Sequence, residues 1–555
     1  MLRRSLVPVL FMLAAAPAAR AADPIMPLSE LRPGMHCTGL SVIRGTTISS
    51  FDVEILDIIG AEPGMSGPRI LIRVSGPAVD STGIGPGFSG SPVMCDGRNA
   101  GAISEGLGEY GNEVALATPI ELMLRDRPPA PAAAARRDPT LLRAARPLGT
   151  PLTVSGLSGR AAAVVRQAAT RAHRPLIVAP AGPVGGYPPV DLQPGASVAA
   201  TISTGDLGLG AIGTLTYRDG EDVWAFGHPF EGLGRRSLFL QDAYVYTVIQ
   251  NPLGLQDFGA ISYKLASSNG YVHGAMTNDQ VDTISGKLGP RPHSIPLRVS
   301  TRNRAGERVT LNSLLADERD LGYGAGISFV APLGLTEAMG RLMRDFGPVT
   351  FRMCTSIRVR ELRRPMGFCN LYFSVDDAVN DLSEAGSLVD FFDFAPLHVQ
   401  RIGVSVHARD GVKQDVLLHA RAPRHARKGS RIRVHLTVQR RRGARHRITV
   451  PVRVPLSLKP GRRHRLIVRG GEGGGSEAQL IEELIALLEG EQNGGGSNEP
   501  RSVGQLAARI RALRRVPGIY ARWDKRPARL VRRSRGVSYE GRVRLGVRVT
   551  PRVLR

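Results

Sequence analysis

The chain has 555 residues, and 42% of them are hydrophobic, so it is too long for one ordinary domain and too apolar for a disordered chain. Its 65 glycines and 40 prolines indicate many turns and favour β-rich architecture over helical bundles. The formal net charge is +25, but residues 401–555 hold 37 basic and 11 acidic residues, while residues 1–400 hold 36 and 37. Any general attraction to anions therefore belongs to the C-terminal third.

The N-terminus has the pattern of an export signal. Two arginines precede an apolar run over residues 6–16, which the small-residue sequence Ala19-Arg20-Ala21 follows. This predicts a signal peptide over residues 1–21. No later segment reaches the length of apolar sequence that a membrane span needs. We therefore expect a soluble, exported protein, located in the periplasm or outside the cell.

Between the signal peptide and residue 393, the predicted elements fall into four units. Short Val- and Ile-rich strands separated by Gly and Pro turns fill residues 22–125 and again residues 196–300. In the second of these ranges, residues 211–217 and 223–227 are predicted to form a hairpin around a turn at Asp219-Gly220. Residues 126–195 between them form a linker rich in Pro and Ala, with one predicted helix. Residues 301–393 are predicted to contain an amphipathic helix and a long hairpin.

The C-terminal part is predicted to contain two further units. Alternating strands over residues 394–470 favour an immunoglobulin-like β-sandwich. Residues 471–555 are predicted to be a flexible, basic α+β region, in which glycine segments flank an acidic helix over residues 477–488. The chain as a whole is therefore expected to be mainly β.

Four cysteines in an exported chain favour disulfide bonds. The simplest of three pairings joins Cys37 to Cys95 and Cys354 to Cys369, because each pair then lies within one predicted unit. Four buried free thiols are the alternative. The cysteines and histidines lack the spacing of a metal site, so the sequence predicts neither a metal nor a cofactor.

The turn Gly87-Phe88-Ser89-Gly90-Ser91-Pro92 contains a candidate nucleophile. Its glycines permit the strained backbone angles that expose a serine oxygen, and Pro92 ends the turn. The Gly-x-Ser-Gly-x-Pro frame resembles that of chymotrypsin-like peptidases. The resemblance implies that Ser89 is the nucleophile and that the backbone N–H groups of Gly87 and Ser89 form the oxyanion hole. Without a second element, an ordinary β-turn would explain the same sequence.

A base for this serine is predicted at His228, where an apolar strand ends in Ala225-Phe226-Gly227-His228-Pro229. Seven of the twelve histidines lie between positions 398 and 464 and are expected on the polar face of the basic sandwich. The main alternatives in the first 300 residues are His36 and His273, while His173 and His293 are in sequence contexts less typical of a cleft.

Two separate stretches of the chain resemble the SpoIVB family of serine endopeptidases. One contains the Ser89 turn, in which Phe88 stands where the family usually has Met, and the other contains His228. Together they cover roughly residues 30–300. The matching segments are Phe51-Asp52-Val53-Glu54-Ile55, Thr82-Gly83-Ile84-Gly85-Pro86 with the Ser89 turn, Asp96-Gly97, Gly101-Ala102-Ile103, Gly210-Ala211-Ile212-Gly213-Thr214-Leu215-Thr216 and Phe226-Gly227-His228.

The order of the two halves differs from that of the family's sporulation enzyme, because Ser89 precedes His228. A circular permutation of two half-barrels explains this order, since a triad is defined by geometry and not by chain order. The resemblance therefore implies a permuted, chymotrypsin-like double half-barrel, with the nucleophile in residues 22–125 and the histidine in residues 196–300. The sequence contains no PDZ-like segment.

The third member of the triad is less clearly marked. Where the family places its aspartate before the serine, this chain has Arg73-Val74-Ser75-Gly76-Pro77. Asp242, on the next predicted strand after His228, is the predicted substitute. The alternatives are Asp52, Asp57 and Asp80, or a Ser–His dyad in which a backbone carbonyl orients the imidazole.

The sequence thus predicts an exported serine endopeptidase that cleaves protein or peptide substrates. Self-processing is a further hypothesis that the resemblance implies. The alternative function is a non-catalytic cell-envelope scaffold or adhesion protein on a degenerate peptidase fold, which the missing aspartate and the basic third favour. Residues 401–555 are expected to bind an anionic envelope surface. Nucleic acid is not the expected partner, because the chain is exported and the basic region has few aromatic residues to stack on bases.

Overall fold

The structure is a computed structural model and is mainly β. The predicted signal peptide, the predicted acidic helix over residues 477–488 and most of the predicted linker helix lie outside the described residues. The described residues are 22–61, 66–107, 111–131, 152–159, 161–163, 165–166, 176–182, 186–250, 262–343, 349–411, 414–441, 443–471, 499–534 and 536–551.

Six antiparallel strands close into an N-terminal barrel, in the order β1-β2-β3-β6-β5-β4. Alternate side chains point inward because successive residues of a strand face opposite sides of the sheet, so Phe51, Val53 and Ile55 are buried. A short helix, α1 (Ile120–Met123), follows the barrel. The barrel strands are β1 (His36–Arg44), β2 (Thr47–Ile59), β3 (Arg69–Ser75), β4 (Pro92–Cys95), β5 (Arg98–Gly106) and β6 (Val114–Pro119).

Six later strands form a second ring of pairings, in the order β9-β12-β15-β16-β11-β10, which a further β9–β10 pairing closes. Strands β10 and β11 are the hairpin that the sequence predicts, with Asp219 opposite Asp222 at the turn. The ring strands are β9 (Ser197–Gly205), β10 (Gly208–Asp219), β11 (Asp222–Ala225), β12 (Gly234–Asp242), β15 (Val272–Gln280) and β16 (Thr283–Leu288).

The second ring belongs to a 13-stranded sheet, which β7 and β8 extend beyond β10 and five further strands extend beyond β9. Helices α2 (Ile327–Leu342) and α3 (Val375–Asp390) pack on this sheet and contribute to its core. A separate two-stranded sheet pairs β13 with β14. These strands are β7 (Leu152–Ser155), β8 (Leu176–Ala179), β13 (Tyr244–Ile249), β14 (Tyr263–Ser267), β17 (Ser294–Arg302), β18 (Arg308–Ala316), β19 (Val349–Val359), β20 (Cys369–Tyr372) and β21 (Val399–Asp410).

The C-terminal part is a β-sandwich of a four-stranded sheet, β25-β24-β22-β29, and a five-stranded sheet, β23-β30-β26-β27-β28. Val434 from one sheet and Leu466 from the other share one hydrophobic core. Helix α4 (Val503–Ala512) precedes the last strands. The strands are β22 (Gln414–Arg421), β23 (His425–Arg427), β24 (Arg431–Arg440), β25 (Arg445–Arg453), β26 (Arg463–Gly470), β27 (Gly518–Trp523), β28 (Arg529–Arg533), β29 (Ser538–Glu540) and β30 (Arg542–Thr550).

The sandwich differs from the predicted range 394–470 at both ends. Strand β21 lies in the large sheet, parallel to β17 and antiparallel to β19. Strands β27 to β30 of the basic tail complete the sandwich. Alternating hydrophobic residues specify a strand and its buried face but not its partner, so the sequence pattern could not assign these strands to a sheet. Two of the pairs, β22–β29 and β23–β30, are parallel, and an immunoglobulin-like topology stays a prediction.

Two disulfide bonds join the cysteines as the simplest predicted pairing has them. Cys37 is bonded to Cys95 beside the β1–β4 pairing that closes the barrel. Cys354 is bonded to Cys369 across the β19–β20 hairpin, which the sequence also predicts. Disulfides of this kind are typical of oxidising, exported environments.

None of the helices in the described residues combines the length and the apolar character that crossing a bilayer would require.

The double substitution Cys37→Ser/Cys95→Ser should lower the free energy of unfolding of the N-terminal barrel by about 4 kcal/mol. The lost disulfide spans 58 residues, and a cross-link over such a loop restricts the unfolded chain. Hydrogen exchange of the barrel amides, read by mass spectrometry, measures this change. Cys354→Ser/Cys369→Ser is the matched control and should leave exchange in the barrel unchanged. Equal acceleration of barrel exchange by both pairs would contradict the assignment.

Candidate active site

The turn that carries Ser89 connects β3 to β4 and docks against β10 of the second ring. The carbonyl oxygen of Ser89 accepts a 2.8 Å hydrogen bond from the backbone N–H of Thr214. The hydroxyl groups of Thr214 and Thr216 donate to the carbonyl oxygens of Gly87 (3.0 Å) and Gly90 (2.8 Å). Because these bonds join the barrel to the second ring, the position of Ser89 depends on contacts between the two.

The turn needs its glycines for both angle and space. Gly87 and Gly90 have φ values of 97° and 93°, which side chains other than glycine rarely adopt. A Cβ atom on Gly90 would lie 2.0 Å from the carbonyl oxygen of Thr214. The strained turn that the sequence predicts is therefore present, with Ser89 partly exposed at its surface.

The backbone amides of the turn differ in whether they donate a hydrogen bond. The N–H groups of Phe88, Gly90 and Ser91 donate to backbone oxygens at 2.9, 2.7 and 2.8 Å. Within the part of the chain that the structure describes, the N–H groups of Gly87 and Ser89 have no acceptor. Buried or half-buried amides are normally paired, so two unpaired amides on either side of one residue can bind an oxygen of a ligand. These are the two groups that the sequence predicts as the oxyanion hole.

His228 follows β11 and is 8% exposed. Its Nδ1 atom lies 2.8 Å from the carbonyl oxygen of Pro229. A carbonyl only accepts, so Nδ1 carries the proton of the neutral ring and Nε2 has the free lone pair. Burial lowers the pKa of His228, against the opposing effects of the Pro229 carbonyl and of the charges of Glu105 and Asp279. The imidazole is therefore neutral near pH 7 and can accept a proton at Nε2.

The backbone that leads into His228 is strained and closely packed. Phe226 is buried and has a φ of 71°, an unusual value for a bulky side chain. The carbonyl oxygen of Gly227 accepts a 2.6 Å hydrogen bond from the Thr118 hydroxyl of the N-terminal barrel. This segment thus also lies at the contact between barrel and second ring.

The two segments approach the same backbone group. The N–H of Gly90 donates to the carbonyl oxygen of Ile103 at 2.7 Å, and a Cβ atom on Gly227 would lie 3.2 Å from that oxygen. In the described residues no hydrogen bond joins the Ser89 hydroxyl to His228. Catalytic hydrogen bonds are often long without substrate, so the pairing of these two side chains stays a prediction.

Asp242 lies beside a different histidine. Its carboxylate accepts from the Tyr187 hydroxyl (2.9 Å) and from the backbone N–H groups of Tyr271 (2.7 Å) and Val190 (3.0 Å). Its Oδ2 atom is also 2.9 Å from Nε2 of His273. These four contacts occupy both oxygens, so Asp242 does not orient His228 in this structure. Asp242 lies one strand after His228 in the chain, but β12 pairs with β15, which carries His273, and this pairing brings Asp242 beside His273.

The other candidate carboxylates also make local contacts. Asp80 accepts from the N–H of Gly76, Asp57 accepts from the N–H of Ile58, and Asp52 is exposed on β2. The Pro229 carbonyl takes the place that an aspartate would have beside Nδ1 of His228. This arrangement matches the dyad alternative, with a backbone carbonyl as the orienting group.

A buried lysine beneath the Ser89 turn is the feature that the sequence did not reveal. Lys264 on β14 is 1% exposed, and its Nζ atom donates to the hydroxyl groups of Ser41 (2.7 Å) and Thr214 (3.2 Å). Nζ also lies 4.6 Å from the ring centroid of Phe88, the residue between Gly87 and Ser89. The Lys264 backbone N–H donates to Pro86 at 2.9 Å. Lys264 therefore contacts the turn at Pro86 and Phe88 from the buried side.

The signal for Lys264 was weak but present. Lysine is rare in this chain, and this one lies two residues before Ala266 on the same strand, so both side chains are on the face of the strand that is buried. Desolvation lowers the pKa of Lys264 from 10.5 to about 7, so much of the amine is neutral at that pH.

Comparison with known proteins gives no relative: no protein-family model, no curated protein and no solved structure matches the chain.

The pKa of Lys264 predicts how stability depends on pH. Between about pH 7 and 10.5 the unfolded chain holds a proton on Lys264 that the folded protein has lost, so the free energy of unfolding rises with pH across this window. Below about pH 7 both the folded and the unfolded chain are protonated at Lys264, so Lys264 no longer makes the free energy of unfolding depend on pH. Urea denaturation at pH 7, 8 and 9 should therefore give a smaller rise for Lys264→Met than for the wild type. The exposed-site control Lys459→Met should retain the full rise, and an undiminished rise in Lys264→Met would contradict the prediction.

Proposed function

We propose that the protein is an exported serine endopeptidase, with Ser89 as nucleophile and His228 as general base. The observation that carries this proposal is the pair of unpaired amides of Gly87 and Ser89 in a turn whose other amides are bonded. Such a pair is what stabilises the oxyanion of a tetrahedral intermediate in acyl transfer. A neutral imidazole with a free Nε2 atom in the adjoining segment supports the same chemistry.

The arrangement of strands supports a permuted, chymotrypsin-like fold related to the SpoIVB family. Ser89 belongs to one six-stranded closed unit and His228 to another, and both lie where the two units are in contact. A chymotrypsin-like site has the same division between two barrels, and reversal of chain order leaves its geometry unchanged. The family resemblance of the two sequence segments and this division of the fold are independent arguments.

In the proposed reaction the Ser89 Oγ atom attacks the carbonyl carbon of the scissile peptide bond. His228 Nε2 takes the hydroxyl proton, and the carbonyl oxygen, now negative, is bound by the N–H groups of Gly87 and Ser89. The protonated imidazole then gives this proton to the leaving amine as the C–N bond breaks. Water hydrolyses the acyl-enzyme by the same steps in reverse order.

The Pro229 carbonyl has a defined part in this mechanism. It fixes the tautomer of His228 and accepts from the imidazolium, as an aspartate would, but it carries no full charge. Removal of the triad aspartate lowers kcat in serine proteases by about 10⁴ and leaves substantial catalysis. The proposed enzyme is therefore a slow one, suited to limited processing of protein or peptide substrates, its own chain included.

Two other serines near the turn are less suitable nucleophiles. Ser41 and Ser91 are fully buried and lie 2.9 Å apart, with Lys264 bonded to Ser41. A buried lysine can activate a serine, but a substrate carbonyl cannot reach a hydroxyl that is closed from solvent. Ser89 is the partly exposed serine of the turn, so the proposal assigns the attack to it.

Cleavage of a peptide library by the purified protein tests the proposal. Ser89→Ala and His228→Ala should each lower kcat/KM by at least about 10³, because each removes a group needed for acyl transfer. His273→Ala is the matched histidine control, since His273 binds Asp242 on another strand, and it should retain cleavage.

Absence of cleavage by the folded wild type would contradict the proposal and favour the non-catalytic scaffold. Equal loss of cleavage in His228→Ala and His273→Ala would contradict the assignment of the base.

A further inference from the structure

The outer face of the five-stranded sheet carries a cluster of arginines, which we call the arginine face. On β26 and β30, valine and leucine point into the sandwich core while arginines alternate with them on the outside. Neighbouring β27 adds one arginine to the same face. The arginine face consists of Arg463, Arg465, Arg522, Arg542, Arg544 and Arg548.

The positive charge of this face is not neutralised by ion pairs within the residues that the structure describes. In the described part of the chain none of the six arginines forms an ion pair. Asp524, the one acidic residue among those that line the groove here, is bound by His464 Nδ1 (2.8 Å) and by the backbone N–H of Arg465 (2.9 Å). Desolvation, followed by the charges of Arg544 and other neighbouring arginines, lowers the pKa of Arg542. Like charges held this close destabilise one another unless an anion lies between them.

The face is concave rather than flat. Arg463, Arg465, Arg522, Arg542 and Arg544 line an open groove of about 660 Å³. Gly546 forms part of its floor, and a Cβ atom there would lie 2.2 Å from Nε of Arg463, whose side chain lies across the glycine. A glycine within a strand is often a point where another group approaches the backbone closely.

We propose that this groove binds a linear polyanion that carries several phosphate groups. A guanidinium group presents a fixed fork of N–H donors that matches phosphate in a bidentate manner. Adjacent strands are about 4.8 Å apart, and residues on one face of a strand repeat at about 7 Å. One phosphate reaches two of these arginines at most, so a ligand that neutralises the face needs several phosphates in a row.

A phosphate-bearing chain fits this groove better than a bilayer or a nucleic acid does. A lipid surface is flat, and of the large apolar side chains exposed in the described residues only Leu530 belongs to this sheet, so little is available to insert into lipid. The lining contains no Phe, Tyr or Trp ring on which a base could stack, and its one imidazole, His464, is held by Asp524. The groove is also a smaller binding region than residues 401–555, the whole of which the sequence predicts to bind an anionic envelope surface.

Binding of short-chain inorganic polyphosphate to the full chain, measured by isothermal titration calorimetry at about 0.15 M and about 0.3 M salt, tests the inference. Arg465→Gln/Arg522→Gln/Arg544→Gln should weaken binding by at least about tenfold and make it less sensitive to salt, because three phosphate contacts are removed. The matched control Arg433→Gln/Arg447→Gln/Arg453→Gln removes three exposed arginines from the other sheet and should bind within about threefold of the wild type.

Equal weakening by both triple substitutions would overturn the inference, because net charge alone would then explain binding. Tighter binding to phosphatidylglycerol vesicles or to single-stranded DNA than to polyphosphate would overturn it in favour of a membrane or a nucleic acid, and no binding at all would also overturn it. Ser89→Ala should bind polyphosphate as the wild type does, so the result is independent of the peptidase proposal.

Discussion

The hydrogen bonds between the Ser89 turn and β10 are the interaction on which the candidate site depends. They use the carbonyl oxygens of Gly87, Ser89 and Gly90, while the N–H groups of Gly87 and Ser89 have no acceptor in the described residues. A turn held by its carbonyl groups can present its amides to a ligand without rearrangement. Since β10 belongs to the second ring, separation of that ring from the barrel would remove the site.

Burial lowers the pKa values of the two basic side chains of the candidate site, His228 and Lys264. The reason is that a buried base loses the hydration that favours its charged form. A neutral His228 can act as a base near pH 7, and a lysine that is partly neutral can lie beneath the turn at lower cost than a full charge. The candidate site therefore combines bases whose charged form is disfavoured with two backbone amides that have no acceptor in the described residues.

Local sequence patterns predicted much of the fold, and long-range geometry explains what they missed. Glycine angles and apolar alternation specified the Ser89 turn, the β10–β11 hairpin and both disulfide-linked segments. The choice of partner is a tertiary property, so the order of residues in the chain predicts Asp242 beside His228 although Asp242 binds His273. The same limit explains why β21 was placed in the sandwich, and why a single lysine on a short strand gave little sign of its position under the turn.

The most direct test of the account is a crystal structure of the protein after reaction with a fluorophosphonate. The account predicts a covalent adduct on Ser89 Oγ, with one phosphonyl oxygen about 3 Å from the backbone nitrogens of both Gly87 and Ser89, and Nε2 of His228 facing the adduct. An adduct on another residue, an unmodified Ser89, or a phosphonyl oxygen bound away from these two amides would contradict it.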